Sequence, residues 1–232
     1  MKQSIKRTAL MAAALTSAAL LSAEARNVVG YVKIEVPAGL SLMSVPFERI
    51  GGGTLTVGEV FGDKLADGSK LYLFKPGVGF DVIEYIVEDD PEDTGWYKGA
   101  DRVDDMELPR ATGFWIRNNA ATSVAIVLHG QAPVGQASVS LPLGLQIVSF
   151  GFPSDADIQS LPGLEPNDGD KLYEFVDGGF VVYEFIEEED PQDTGWYKGM
   201  TKAVFNLAPG RAYWYRRTGA STTWNQSKNY TF

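Results

Sequence analysis

Two aspartate residues in this chain occupy the same Asp-Thr-Gly triplet, and their side chains are the ones most suited by type to do chemistry. Asp93 lies in the phrase EDDPEDTGWYKGA, and Asp193 lies 100 residues further on in the phrase EEEDPQDTGWYKGM. Two carboxylates held close together share one proton, because the first negative charge opposes the second ionisation. Such a pair can activate a water molecule for attack on a peptide carbonyl. The chemistry that these triplets suggest is general acid–base hydrolysis.

This pattern resembles the aspartic peptidases, in which each half of the molecule supplies one Asp-Thr-Gly triplet. The resemblance implies that Asp93 and Asp193 form a catalytic dyad, and that Thr94 and Thr194 brace the two loops. The residues before each triplet depart from that family, since they are acidic rather than hydrophobic. Unpaired acidic side chains are costly to bury, so the phrase is more typical of a solvated turn in which the aspartate binds the backbone two residues on. The peptidase is therefore kept as the alternative to a non-catalytic function.

The acidic phrases also offer oxygen ligands for a hard cation such as Ca²⁺. A proline interrupts each run of acids, and no bidentate acid follows where an EF-hand loop would have one. We expect no cofactor to be required, and Ca²⁺ is the ion that these loops could bind; the alternative is a plain solvated loop. The candidate ligands are Asp89, Asp90, Glu92, Glu189 and Asp190.

A tryptophan and a tyrosine follow each triplet directly. Flat aromatic rings beside acids and amides are common in carbohydrate sites, although aromatic residues on strands also fill cores. We expect the later tryptophans, Trp115 and Trp214, to lie in the core, and the four residues beside the triplets to be candidates for binding a glycan. These four are Trp96, Tyr97, Trp196 and Tyr197.

The acidic phrases are one part of a longer internal duplication. We divide the chain into a first copy, residues 26–133, and a second copy, residues 134–232. Each copy has about 100 residues, which is enough to bury a core. The matching segments are 38–47 with 143–152, 67–86 with 168–186, 88–100 with 187–200, and 108–120 with 207–219.

Each copy is predicted to be all β. Short β-prone runs are separated by turn residues, and the segments 75–79 and 177–179 are typical of hairpin turns. No stretch after the first 25 residues has a sustained 3.6-residue apolar period, so we expect only single helical turns, one near Glu59 and one within 155–161. The predicted fold is two tandem β-sandwich or barrel-like repeats.

The first 25 residues have the pattern of a secretory signal peptide. A basic start at Lys2, Lys6 and Arg7 is followed by an apolar run and by an Ala-x-Ala cleavage signal around Glu24. We therefore expect an exported protein that begins near Arg26. Removing this segment, which has a net charge of +2, takes the net charge of the chain from −10 to −12.

Composition excludes several classes of function. A strongly acidic chain without Lys and Arg clusters does not suit nucleic acid or anionic lipid, and we expect no nucleic-acid partner. The chain has no cysteine, so its core must be stable without disulfides. The one histidine, His129, follows an apolar run and excludes zinc sites built from several histidines.

The order of motifs resembles a family of secreted β-rich repeat proteins from planctomycete and verrucomicrobial bacteria. The segments that carry the resemblance are VVGYVKIEVPAGLSLMSVPF, DGSKLYLFKPGVGF and GFWIRNNA, and the likeness covers residues 28–220. The chain departs from that family in the acids and in the Asp-Thr-Gly of its Gly-Trp segments. The family has no established activity, so the resemblance implies an exported β protein and no particular reaction. We expect a non-catalytic binding or structural module at the cell exterior, with a glycan or protein ligand, and the duplication suits bivalent attachment.

Overall fold

The computed structural model describes residues 28–231 and shows an all-β protein, which confirms the predicted fold class. The predicted leader, residues 1–25, lies outside the described residues. Within 28–231, no helix has the length and apolar character needed to span a membrane. The strands are β1 Val29–Val36, β2 Gly39–Ser44, β3 Lys70–Lys75, β4 Gly79–Ile86, β5 Gly95–Lys98, β6 Asp101–Arg102, β7 Gly113–Asn118, β8 Val124–Gln131, β9 Ala137–Leu141, β10 Gly144–Val148, β11 Ala156–Asp157, β12 Lys171–Val176, β13 Gly179–Ile186, β14 Gly195–Lys198, β15 Thr201–Lys202, β16 Asn206–Leu207, β17 Tyr213–Arg217 and β18 Thr222–Gln226.

Two six-stranded antiparallel sheets have the same strand order. The order is β2-β7-β3-β4-β5-β6 in the first copy and β10-β17-β12-β13-β14-β15 in the second. The registers also correspond, since Lys70 lies opposite Glu84 in the first sheet and Lys171 lies opposite Glu184 in the second. The matching segments of the sequence therefore form sheets of the same topology.

A separate two-stranded ladder joins the two ends of each copy. In the first copy β1 pairs with β8 along its whole length, and in the second copy β9 pairs with β18. The connection between β8 and β9, residues 132–136, contains no strand. Each copy therefore closes on itself before the other begins.

The predicted hairpins and helical turns are present. The turn between β12 and β13 consists of Asp177 and Gly178, both with positive φ, as an Asp-Gly hairpin turn requires. A short helix α1, Val57–Val60, contains Glu59, and a single 3-10 turn covers Ile158–Ser160. The helix α1 begins at a capping box, in which Thr56 and Glu59 each accept a hydrogen bond from the other's backbone N–H.

The two copies pack against each other through aromatic residues in equivalent pairs. Trp214 lies edge-on to Phe74, with ring centroids 4.7 Å apart, and Trp115 lies edge-on to Phe175 at 4.8 Å. Trp115 and Trp214, which were predicted to lie in the core, pack partly buried against a core cluster that the two copies share, Leu42, Ile147 and Ala212. Each strand turns its tryptophan away from the core of its own copy.

Backbone hydrogen bonds across this interface repeat the same relation. The Ser44 N–H donates to the Gly210 carbonyl at 3.0 Å, and the Ser149 N–H donates to the Ala111 carbonyl at 2.9 Å. These two backbone bonds are related as the contacts of a twofold dimer are. The side chains do not repeat the relation fully, since Ser44 Oγ donates to the Arg211 carbonyl at 2.9 Å and Ser149 Oγ has no hydrogen-bond partner in the described part of the chain. The backbone contact between the copies therefore resembles that between two subunits, within one chain.

The second copy contains a buried ion pair. The carboxylate of Asp170 is fully buried and accepts hydrogen bonds from Arg217 Nη1 at 2.9 Å, from the Tyr215 hydroxyl at 2.6 Å, and from Thr218 and the Asn167 N–H. Burial alone would raise the pKa of Asp170, but these hydrogen bonds outweigh it and hold the pKa below its usual value. The first copy has Ser69, Ile116 and Asn118 where the second has Asp170, Tyr215 and Arg217.

Candidate functional site

The Asp-Thr-Gly loops are turns made by side chains that bind nearby backbone groups. Thr94 Oγ1 accepts a hydrogen bond from the Glu88 N–H at 3.0 Å, and Asp90 Oδ1 accepts one from the Glu92 N–H at 3.0 Å. The second copy has the same two bonds at 3.0 and 2.9 Å. These bonds fold the acidic phrase back on itself. The acidic side chains face solvent, and backbone N–H groups of the loop are bound by its own side chains.

Asp93 and Asp193 each lie on an acidic loop of their own copy. Both residues are exposed, and their loops follow the ends of β4 and β13. The opposite end of β4, at Phe80, is the end that contacts the other copy. Six residues of strand separate Phe80 from Ile86, so the first loop lies about 20 Å from that contact. Phe180 makes the equivalent contact with Trp115, so each acidic loop follows the strand end that lies away from the contact between the copies. The dyad implied by the peptidase resemblance stays a prediction.

The five candidate calcium ligands lie on exposed loops, three in the first copy and two in the second. A basic side chain already lies against the loop carbonyls: Lys202 Nζ donates to the Gln192 carbonyl at 2.6 Å and to that of Thr194 at 3.2 Å. In the first copy, Arg102 donates to the Glu92 and Thr94 carbonyls. Among the residues that the structure describes, no group of three or more His, Cys, Asp or Glu side chains could hold a metal ion. The exposed candidates are Asp89, Asp90, Glu92, Glu189 and Asp190.

The tryptophans beside the triplets are core residues, which corrects their assignment as a glycan surface. Trp96 is 0% exposed and Trp196 is 2% exposed. Each strand alternates its side chains between two faces, and the register of β5 and β14 places the tryptophan inward and the tyrosine outward. Tyr97 and Tyr197 are partly exposed, and each hydroxyl donates to the carbonyl of the aspartate four residues before it.

An exposed aromatic surface lies elsewhere on the sheets, on residues that the sequence analysis did not single out. Cross-strand partners point to the same face of a sheet, so the pairs of β3, β4 and β7 define the face that points away from the core of the copy. We call this the outer face of each sheet. Its residues are Tyr72, Phe74, Phe80, Val82 and Trp115 in the first copy, and Tyr173, Phe175, Phe180, Val182 and Trp214 in the second.

The outer faces are apolar and open to solvent in the same places in both copies. Phe80 is 44% exposed and Phe180 is 50% exposed, while Val82 and Val182 are 40% and 38% exposed. The solvent side of an antiparallel sheet is ordinarily polar. A signal was available in the sequence, because β4 and β13 carry apolar residues at odd and even positions alike, which indicates a strand that is covered on both faces.

The exposed rings are held in place by other rings. Phe80 lies 5.2 Å from Phe74, 6.3 Å from Tyr72 and 6.3 Å from Trp214, measured between centroids. Phe180 has the equivalent neighbours at nearly the same distances. Such contacts restrict the motion of the rings. A ligand that binds this surface therefore does not pay the entropy cost of ordering them.

Charged groups border the apolar part of each outer face. Lys70 pairs with Glu84 at 3.1 Å, and Lys171 pairs with Glu184 at 3.1 Å. These side chains are partly exposed and keep hydrogen-bonding capacity toward solvent. Each sheet therefore presents a rigid aromatic area beside a row of donors and acceptors.

No protein-family model, curated protein or solved structure matches this chain. The functional interpretation therefore rests on the geometry of the surfaces described above.

Proposed function

We propose that this chain is an exported, non-catalytic binding module that holds a glycan against the outer faces of its two six-stranded sheets. The observation that carries the proposal is the exposure of Phe80 and Phe180 at equivalent positions of two equivalent sheets. Complete burial of a large apolar side chain contributes about 1.5–3 kcal/mol relative to full exposure. Phe80 and Phe180 are about half exposed, so roughly half of that free energy becomes available when a ligand covers each ring.

A glycan fits the chemistry of these faces. The C–H face of a sugar ring can cover an aromatic ring, while its hydroxyls reach donors and acceptors at the border. Lys70 and Glu84, with Lys171 and Glu184, supply such groups beside the rings. Because the mature chain has a net charge of −12 if it begins at Arg26, a neutral or basic glycan is favoured over a polyanionic one.

Two equivalent faces on one chain suit a ligand with repeated units. When one face has bound a polysaccharide, the second face meets the same chain at a high effective concentration. Avidity of this kind exceeds the affinity of either face by about 10²–10⁴-fold. Weak contacts at each face are therefore enough for firm attachment.

The proposal can be tested by electrophoresis of the mature protein in native gels that contain neutral polysaccharides. We expect retardation by at least one polysaccharide, a partial loss in Phe80→Ala and in Phe180→Ala, and a full loss in the double variant. Val78→Ala is the control, because Val78 is 84% exposed in the β3–β4 turn. Circular dichroism should show that all variants keep the β fold. Retardation that survives in the double variant, or a wild-type protein that no polysaccharide retards, would contradict the proposal.

A further inference from the structure

A cleft lies between the two copies and is bordered by different chemistry on each side. It has a volume of about 660 Å³, within the range of small-ligand sites. The first copy supplies an apolar wall that includes Pro37 and Leu40, and the second supplies Glu174, Arg211 and Tyr213. The cleft thus combines an apolar side with hydrogen-bonding groups, as ligand sites commonly do.

The polar side of the cleft is where the two copies differ in chemistry. Three positions that are apolar in the first copy carry hydrogen-bonding side chains in the second. The second copy has Glu174, Tyr183 and Tyr213 where the first has Leu73, Ile83 and Phe114. Leu73, Ile83 and Phe114 pack in the core of the first copy, so the fold does not need polar side chains at these positions. Polar groups at such positions cost desolvation energy and indicate a role other than stability.

Two of these polar groups, Tyr183 and Glu174, contact each other, and the two that line the cleft, Glu174 and Tyr213, keep unused hydrogen-bonding capacity. The Tyr183 hydroxyl donates to Glu174 Oε2 at 3.2 Å, and the Tyr213 hydroxyl accepts from the Ala208 N–H at 2.9 Å. Burial, followed by the Glu174 carboxylate, raises the pKa of Tyr183 to about 12, so this hydroxyl remains a donor at neutral pH. Within residues 28–231, Glu174 Oε1 accepts no hydrogen bond and the proton of the Tyr213 hydroxyl has no acceptor.

The unused groups are one acceptor and one donor, and further polar groups line the same cleft. Asp177 adds a second carboxylate and Arg211 a second donor, both exposed to the cleft opening. Neighbouring hydroxyls of a sugar unit can donate to a carboxylate and accept from a phenol or a guanidinium. The cleft also borders Phe175 of the outer face, so a glycan on that face could reach into it.

We propose that the cleft between the copies is a single, unduplicated site that binds one sugar unit through Glu174 and Tyr213. The ligand class rests on the function proposed above, whereas the place of the site rests on the difference between the copies. The outer faces then supply repeated weak contacts, and the cleft selects which sugar is bound.

Saturation-transfer difference NMR of the mature protein tests this site with an equimolar mixture of glucose, galactose, mannose, xylose, fucose and N-acetylglucosamine. We expect a signal from at least one sugar, and its loss in the double variant Glu174→Leu/Tyr183→Ile, which carries the residues of the first copy. Tyr213→Phe should weaken the signal while keeping the ring.

Two outcomes would overturn the site: no signal from any sugar with the wild-type protein, or a signal that the double variant leaves unchanged. The thermal transition of each variant shows whether it is folded, and the copy-one residues make an intact fold the expected result. Polysaccharide retardation reports on the outer faces independently. A double variant of Phe80 and Phe180 that is still retarded, together with a sugar signal that needs Glu174, would reject the outer faces and keep the cleft.

Discussion

The buried carboxylate of Asp170 should be among the most sensitive single positions for stability. Asp170→Asn keeps Oδ1 for Thr218 but replaces Oδ2, which accepts hydrogen bonds from Arg217, Tyr215 and the Asn167 N–H. The guanidinium of Arg217 is left without its counter-charge, although its side chain is only 8% exposed. Removing one partner of a buried ion pair costs about 3–5 kcal/mol. For a chain of this size, each kcal/mol lowers the melting temperature by about 2–4 °C, so we expect a fall of about 6–20 °C.

Thermal and urea unfolding, followed by circular dichroism, would measure this loss. The matched control is the triple variant Asp170→Ser/Tyr215→Ile/Arg217→Asn, which carries the residues of the first copy. It should lose less stability than Asp170→Asn, because no buried charge remains unpaired. A loss below about 1 kcal/mol in Asp170→Asn, the level of one ordinary hydrogen bond, would refute the electrostatic explanation.

The lowered pKa of Asp170 also predicts that the stability of the protein depends on pH. Since the pKa of Asp170 is lowered by folding, its contribution is fully present above the unfolded value of about 3.9 and is lost as the pH falls through the lower folded value. The wild-type protein should therefore lose stability below about pH 4, and the difference between wild type and Asp170→Asn should shrink there. A constant difference between pH 7 and pH 3 would contradict this linkage.

Five further outcomes are expected. Asp93→Asn and Asp193→Asn should each change the unfolding free energy by less than about 0.5 kcal/mol, because exposed positions away from buried contacts tolerate substitution; a larger loss measured in urea would show that the carboxylates are needed. Neither the wild type nor these variants should cleave unfolded protein between about pH 3 and 6, the range in which carboxyl dyads work, and pepstatin-sensitive cleavage would revive the peptidase. Lys202→Ala should open the second acidic loop to limited proteolysis, and millimolar calcium should leave the wild-type melting temperature unchanged; a calcium-dependent rise would show that a metal binds these loops. Because Trp214 is only partly buried, Trp214→Ala should cost less than the roughly 3–5 kcal/mol of a fully buried tryptophan, through loss of the contact between the copies, and an unchanged melting curve would show that this contact contributes little.

Local features of the fold could be predicted from the sequence. The hairpin at 177–179 depends on Asp177 and Gly178, whose conformational preferences are set by the residues themselves. The helical turn at Glu59 likewise needs only the capping box with Thr56. The all-β class follows from many short runs with turn residues between them.

Which side chains of a strand are buried was harder to predict. Burial depends on the register of the strand and on contacts with the other copy. Trp96 was expected to be a binding residue and is buried, since a shift of one residue exchanges the inner and outer faces of a strand. Trp115 does pack in a hydrophobic cluster, but that cluster is shared by the two copies, which no local pattern specifies. Glu174 and Tyr183 become notable only when the two copies are compared position by position and the cleft beside them is known.

The ladders that join β1 to β8 and β9 to β18 have a consequence for how the chain is made. Val36 and Val124, which face each other in the first ladder, are separated by most of a copy. A sequence separation this large makes pairing of β1 with β8 slow, because the entropy cost of closing the long loop comes before the contacts that repay it. At a synthesis rate of about 5–20 residues per second, the chain completes β8 about 5–20 s after β1. The nascent first copy therefore stays open, with its first strand unpaired, until nearly all of it has emerged, and only then can it serve as a folded surface for the second.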